Sequence, residues 1–185
     1  MSLSIKLSSR IAITTGATGQ VGYVMVLTLA EAGADIAIHY HGNAGKAAVL
    51  QTEIEAMGRR ACVVQADVTD LNSVREMRDP ISNTLGSPDI VVACAVESVW
   101  PWSSVLEEDI ADYESPFRSC VLHNVNLAKA FIPAMQARNA GRYIGINTEC
   151  SMQVAPTQSA YTAGKRGMDA VLRVLAKEVG EHQIT

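Results

Sequence analysis

Thr15-Gly16-Ala17-Thr18-Gly19-Gln20-Val21-Gly22 follows an apolar run, Ile11-Ala12-Ile13-Thr14, and precedes a helical stretch, Tyr23 to Ala32, that Gly33 closes. Strand, glycine turn and helix in that order are the setting in which a glycine pattern becomes a phosphate site. Gly16 has no Cβ to clash at positive φ, so the chain can turn sharply off the strand. Gly19 lets backbone approach a pyrophosphate, and Gly22 lets the helix pack closely on the sheet. The free N–H groups around Thr18, Gly19, Gln20, Val21 and Gly22, with the positive end of the helix dipole, then face the anion. Ordinary tight turns carry the same glycine spacing, so the surrounding chain has to decide.

Outward from the turn the chain alternates. Ile36–Tyr40 reads as a second strand, and residues 46–57 as a helix with Ala47, Leu50, Ile54 and Met57 on one face. Residues 61–64 form a third strand. Asp70 can cap the next helix, where Val74, Met77 and Ile81 share a face and Pro80 is expected to kink or interrupt the winding. Residues 89–95 are apolar on both faces, as in an interior strand of a parallel sheet covered on both sides. Trp100, Pro101 and Trp102 fall in a loop. Residues 107–135 read as a helix in two pieces broken near Pro116, and residues 142–148 as a fifth strand. The last helix, residues 159–179, buries Met168, Val171, Leu172, Leu175 and Val179. The alternation predicts an α/β fold: a doubly wound, Rossmann-like parallel sheet flanked by helices, in one domain over residues 1–185. Ligands of such sheets bind beyond the carboxyl ends of the strands, where Gly16, Asp67, Ala95 and Thr148 fall.

Composition bounds the function. A chain of 185 residues with 48% hydrophobic and 18% charged content can bury a full core. A net charge of −4 supplies no basic field for nucleic acid, and 5% aromatic content gives no base-stacking platform. No apolar run approaches the roughly 18 residues of a membrane span, and residues 1–7 lack the apolar core of a signal peptide. Cys62, Cys94, Cys120 and Cys150 are scattered, without a Cys-x-x-Cys pair. That pattern fits reduced thiols in a cytoplasm and offers no metal site.

Tyr161-Thr162-Ala163-Gly164-Lys165 opens the last helix. A spacing of four puts Tyr161 and Lys165 one turn apart on one face. A lysine beside a phenol favours the phenolate and lowers its pKa, which makes tyrosine usable as an acid or base near neutrality. The same pair also arises by chance in a chain of this composition; its position after the fifth strand, downstream of the glycine turn, sets this one apart.

With these motifs in family order and spacing, the sequence resembles the short-chain dehydrogenases/reductases along essentially its whole length. It is similar to the 3-oxoacyl-carrier-protein reductase branch through His39-Tyr40-His41-Gly42-Asn43 and Gln65-Ala66-Asp67-Val68-Thr69-Asp70. The resemblance implies that the glycine turn holds the coenzyme's pyrophosphate and that Asp67 accepts from the adenine amino group with Val68 beside it. Tyr161 would exchange a proton with the substrate oxygen, and Lys165 would tune Tyr161 and bind the nicotinamide ribose. The position of the family's catalytic serine is Thr148, with Ser151 as the fallback. Tyr40 and His41 stand where an NAD enzyme carries an acid, so NADP is expected as cofactor, with NAD as the alternative.

The departures are as informative. Gln20 stands where this branch places its middle glycine. The family's Asn-Asn-Ala-Gly is here Ala93-Cys94-Ala95-Val96, which removes amides that brace the sheet centre. Cys120 takes the place of a helical asparagine that holds a proton-relay water, with Asn124 one turn along as a partial replacement or a plain solvent asparagine. The family continues past the position of Thr185 into a further strand, a Pro-Gly turn, a substrate lid and a final strand, so the expected sheet is C-terminally incomplete and its catalysis weak. The leading expectation is an oxidoreductase moving a hydride between nicotinamide and a small carbonyl/alcohol substrate. A catalytically weak or inactive cofactor-binding protein or fragment is the alternative, and a purely structural α/β module the third. By family analogy the chain is expected to form a homodimer or homotetramer.

Overall fold

The computed structural model describes residues 5–97 and 102–185. Five parallel strands form one sheet: β1 Ile11–Thr14, β2 Asp35–Tyr40, β3 Ala61–Gln65, β4 Ile90–Ala93 and β5 Arg142–Gly145, in the order β3-β2-β1-β4-β5. Side chains alternate across each strand. Ala12, Ile36, Ile38, Ile90 and Val92 pack on α1 (Gln20–Glu31) and α2 (Ala44–Ala56), through Val26, Ala30, Leu50 and Ile54. Ile13, Ala37, Val64, Val91 and Ala93 pack on the opposite layer. That layer holds α3 (Leu71–Thr84), α5 (His123–Ala137) and α7 (Ser159–Val179). β4 is buried along its whole length between β1 and β5, as its two apolar faces require. β5 alternates between exposed and half-buried, because only its β4 side is fully covered. Beyond it, Ile184 bridges Gly141 in parallel, and the Tyr143 N–H donates to the Thr185 carbonyl at 2.8 Å.

The expected interruption at Pro80 does not occur. α3 runs unbroken through Pro80. The ring removes one N–H, but Pro80 and Glu76, whose carbonyl loses its partner, are both exposed, so the freed carbonyl is open to solvent. At Pro116 the α-helix ends, as expected, but the winding does not. α4 (Ile110–Pro116) passes into a π segment, Phe117–Leu122, which leads directly into α5. The helical winding thus continues past the proline in a different form. A short α6, Cys150–Gln153, follows β5 and was not legible in the sequence. Ser98, Val99, Trp100 and Pro101 of the expected loop lie outside the described residues; Trp102 is half-buried.

Candidate functional site

A cleft of about 1060 Å³ opens at the carboxyl ends of the strands. Gly16, Thr18, Gly19, Gln20, Val21 and Gly22 line one side; His41, Asp67, Val68 and Ala95 line the centre; Thr148, Tyr161 and Lys165 line the far end. Two candidates are elsewhere. Tyr40 does not line the cleft, because strand alternation turns it onto the α1–α2 layer. Ser151 is buried in α6, where its hydroxyl donates to the Thr148 carbonyl at 2.8 Å.

The glycine turn is built by contact. Gly16 has φ +65°, and a Cβ there would lie 2.9 Å from the Ala95 Cα. A Cβ on Gly22 would collide with the Gly16 carbonyl, so this glycine seats α1 on the turn itself, where helix-on-sheet packing was expected. No side chain caps α1, so its first N–H groups remain directed at the cleft. His39, which sequence reasoning passed over, fixes the turn from below. Its Nδ1 accepts from the Gly16 N–H at 3.1 Å, and its Nε2–H donates to the Ala66 carbonyl at 3.0 Å. Burial lowers the His39 pKa to about 4, so the ring is neutral. His41 lies 3.2 Å from the same carbonyl through Nδ1.

The lost asparagine brace has a substitute. Thr15 Oγ1 accepts from the N–H groups of Cys94 at 3.0 Å and Ala95 at 3.2 Å. It stands 3.0 Å from His123 Nε2, while His123 Nδ1 donates to the Ser119 carbonyl at 3.1 Å. Burial lowers the His123 pKa to about 3, so this ring too is neutral, with the Nδ1–H tautomer set by its carbonyl partner. The only sequence signal was a histidine inside an otherwise core-facing helix.

Asp67 Oδ1 accepts from both the N–H and the hydroxyl of Thr69, each at 2.8 Å. Burial alone would raise its pKa; the Thr69 bonds and the His41 and Arg118 charges bring it below the ordinary value. At the other end the Lys165 ammonium donates to the Ile146 carbonyl at 2.6 Å and sits 5.8 Å from the Tyr161 ring centre. Burial lowers the Lys165 pKa, opposed by Cys120 and Cys94. The expected lowering of the Tyr161 pKa does not occur. Burial raises it, and the thiols of Cys120, Cys150 and Cys94 raise it further. Lys165 spends one N–H on Ile146 and is itself desolvated, so it does not offset the burial of the phenol. Asn124 is occupied away from Lys165: its Nδ2 donates to the Cys120 carbonyl at 2.7 Å, and its Oδ1 accepts from the Tyr143 hydroxyl at 3.1 Å.

The sequence model of one family, described as short chain dehydrogenase, matches residues 10–185. The chain belongs to that family. An NADPH-dependent aldehyde reductase-like chloroplastic protein of Arabidopsis thaliana is 27% identical over 197 residues, covering 98% of this chain and 71% of the relative. A gluconate 5-dehydrogenase from Burkholderia cenocepacia, solved with NADP and tartrate, superposes with a TM-score of 0.90 at 26% identity, covering 98% of this chain and 70% of that one. An NAD+-bound xylitol dehydrogenase has a TM-score of 0.92 at 22% identity, covering 97% of this chain and 68% of its own, and shares the fold. Short-chain dehydrogenases are NAD(P)-dependent oxidoreductases, and that is the activity class of this chain.

Proposed function

We propose that this short-chain dehydrogenase interconverts a small carbonyl compound and its alcohol with NADP, and that Tyr161 handles the proton. The observation that carries the reading is that Tyr161, Lys165 and Thr148 share one cleft with the glycine turn. The cleft suits a dinucleotide: the turn can close against Ala95 and α1 only because Gly16 and Gly22 lack a Cβ, and the uncapped start of α1 offers N–H groups to a pyrophosphate. Asp67 offers a carboxylate to the adenine amino group with Val68 beside it, Ala95 borders the middle, and Lys165 has N–H groups left for a ribose. The bound coenzyme supplies or accepts the hydride.

Tyr161, held as a phenol by burial, donates its proton to the oxygen of a carbonyl being reduced. The Thr148 hydroxyl, which accepts from the Cys150 N–H at 3.4 Å, keeps its own hydrogen to orient that oxygen. At the end of β2 no carboxylate repels a 2′-phosphate; His41, Gly42 and Asn43 line the cleft there. A second reading, a coenzyme-binding protein without turnover, draws support from Cys120 in the relay position and from Asn124 being occupied. Titration of NADPH and NADH by tryptophan fluorescence, followed by assay with a reactive small diketone, separates the two: both readings require binding, and only the first turns over.

Four free thiols fit a reducing compartment such as the cytoplasm, and among the described residues no helix is long and apolar enough to cross a membrane. Exposed Ile110, Phe117 and Val174 on α4, the π segment and α7 support a homodimer or homotetramer, to be checked by light scattering.

A further inference from the structure

Two consecutive residues of the π segment face the cleft without a role in the chemistry above. Arg118 reaches across to the loop between β3 and α3, where its Nη2 donates to Thr69 Oγ1 at 3.3 Å. Its charge also helps keep Asp67 ionised. Guanidinium, hydroxyl and carboxylate thus form one polar corner. Close by, Asn126 Nδ2 donates to the Val68 carbonyl at 3.1 Å and holds α5 against the same loop. Ser119 lines the cleft at 4% exposure. Its hydroxyl has the Cys120 thiol as its hydrogen-bond neighbour. π turns recur at functional sites because they re-aim side chains that a regular helix would point elsewhere.

We propose that Arg118 is a strap for the adenosine half of the coenzyme. Its planar guanidinium would stack on the adenine, to whose edge Asp67 offers a carboxylate. This rests on reading the cleft as a dinucleotide site. The chemistry favours arginine over lysine: a flat, weakly hydrated cation stacks on an aromatic face, whereas an ammonium is a hydrated point charge. Arg118 borders a second, apolar groove lined by Tyr113, Phe117 and Gly164, so it is also the partition that keeps the base from slipping sideways. It is a positioning residue: it fixes one end of the cofactor and leaves the reacting end alone.

The test is affinity for two halves of the coenzyme, measured by calorimetry on the full chain. ADP-ribose probes the adenosine end and nicotinamide mononucleotide the other, with the thermal midpoint as a control for folding. Arg118→Ala is expected to weaken ADP-ribose and NADPH alike, by about 3- to 30-fold, to leave the mononucleotide unchanged and to leave the midpoint unchanged. Arg118→Lys should stay weak. Unaltered ADP-ribose binding in Arg118→Ala overturns the strap, as does equal weakening of both halves. Full recovery in Arg118→Lys overturns stacking in favour of charge alone. If the wild-type chain binds neither ADP-ribose nor NADPH, the dinucleotide reading itself is what fails.

Discussion

His123 Nε2 and Thr15 Oγ1 meet at 3.0 Å inside the rim of the sheet, from positions 108 residues apart in the chain. Through that contact α5 sets the end of β1, and through the Cys94 and Ala95 amides it sets the loop after β4. Thr15→Val keeps the shape but leaves those two amides and the imidazole unpaired. It should cost about 1–3 kcal/mol in urea unfolding. It should also weaken coenzyme binding, since Ala95 borders the cleft. A valine variant as stable as the parent would show that the brace carries no energy.

Acid should destabilise the fold before the carboxylates titrate. Histidine takes a proton near pH 6.5 when exposed, but burial holds the folded values at about 4 for His39 and about 3 for His123. Between those limits the unfolded chain binds protons that the folded chain refuses. Stability is therefore full above pH 6.5 and falls as the pH drops towards 4 and then 3. Urea midpoints across pH 7 to 4 should decline, and His123→Gln, which can still accept from Thr15, should flatten the decline. An unchanged slope in that variant would exclude His123 as a source.

Tyr161→Phe should lower kcat by about 10²- to 10⁴-fold with coenzyme affinity nearly unchanged. Lys165→Ala should damage both turnover and affinity. Thr148→Ser should be tolerated and Thr148→Val should not. Because burial raises the Tyr161 pKa, reduction should stay level through neutral pH and fall only in strong alkali, as the phenol loses its proton. Most activity surviving in Tyr161→Phe would leave the coenzyme-binding protein as the better reading.

NADPH should bind more tightly than NADH, because His41, Gly42 and Asn43 border the cleft where an acid would repel the 2′-phosphate. His41→Ala should narrow the gap, read from paired titrations. Equal or tighter NADH binding in the parent chain would reject the assignment.

The alternation of apolar runs made the sheet legible, because a buried strand and an amphipathic helix each repeat a pattern along the chain. The glycine turn and the Tyr161–Lys165 pair were legible for the same reason: their geometry is local. What stayed hidden depends on residues far apart. Nothing near Thr15 announces His123, and nothing near Gly16 announces His39. Tyr40 was misplaced because position along β2 was read without its two-residue alternation. An interruption at Pro80 was open to expectation because local rules count the lost donor but not that Pro80 and Glu76 are exposed. The raised Tyr161 pKa followed the same logic: lysine spacing is visible in sequence, and the burial of the phenol is not.

The strand order has a kinetic consequence. Gly16 and His39 are 23 residues apart, so the β1–β2 side of the cleft closes over a short loop. Thr15 and the Val92 carbonyl are 77 apart, and they lie on the junction between β1 and β4 that divides the cleft. Closing the longer loop loses more chain entropy before any contact repays it. The first three strands can therefore zip together early, while the glycine turn waits for Ala95 and for the helix bearing Lys165. Stopped-flow refolding with NADPH present should show coenzyme captured only in the final phase, which would make the ligand a reporter of the moment when the two halves of the molecule dock.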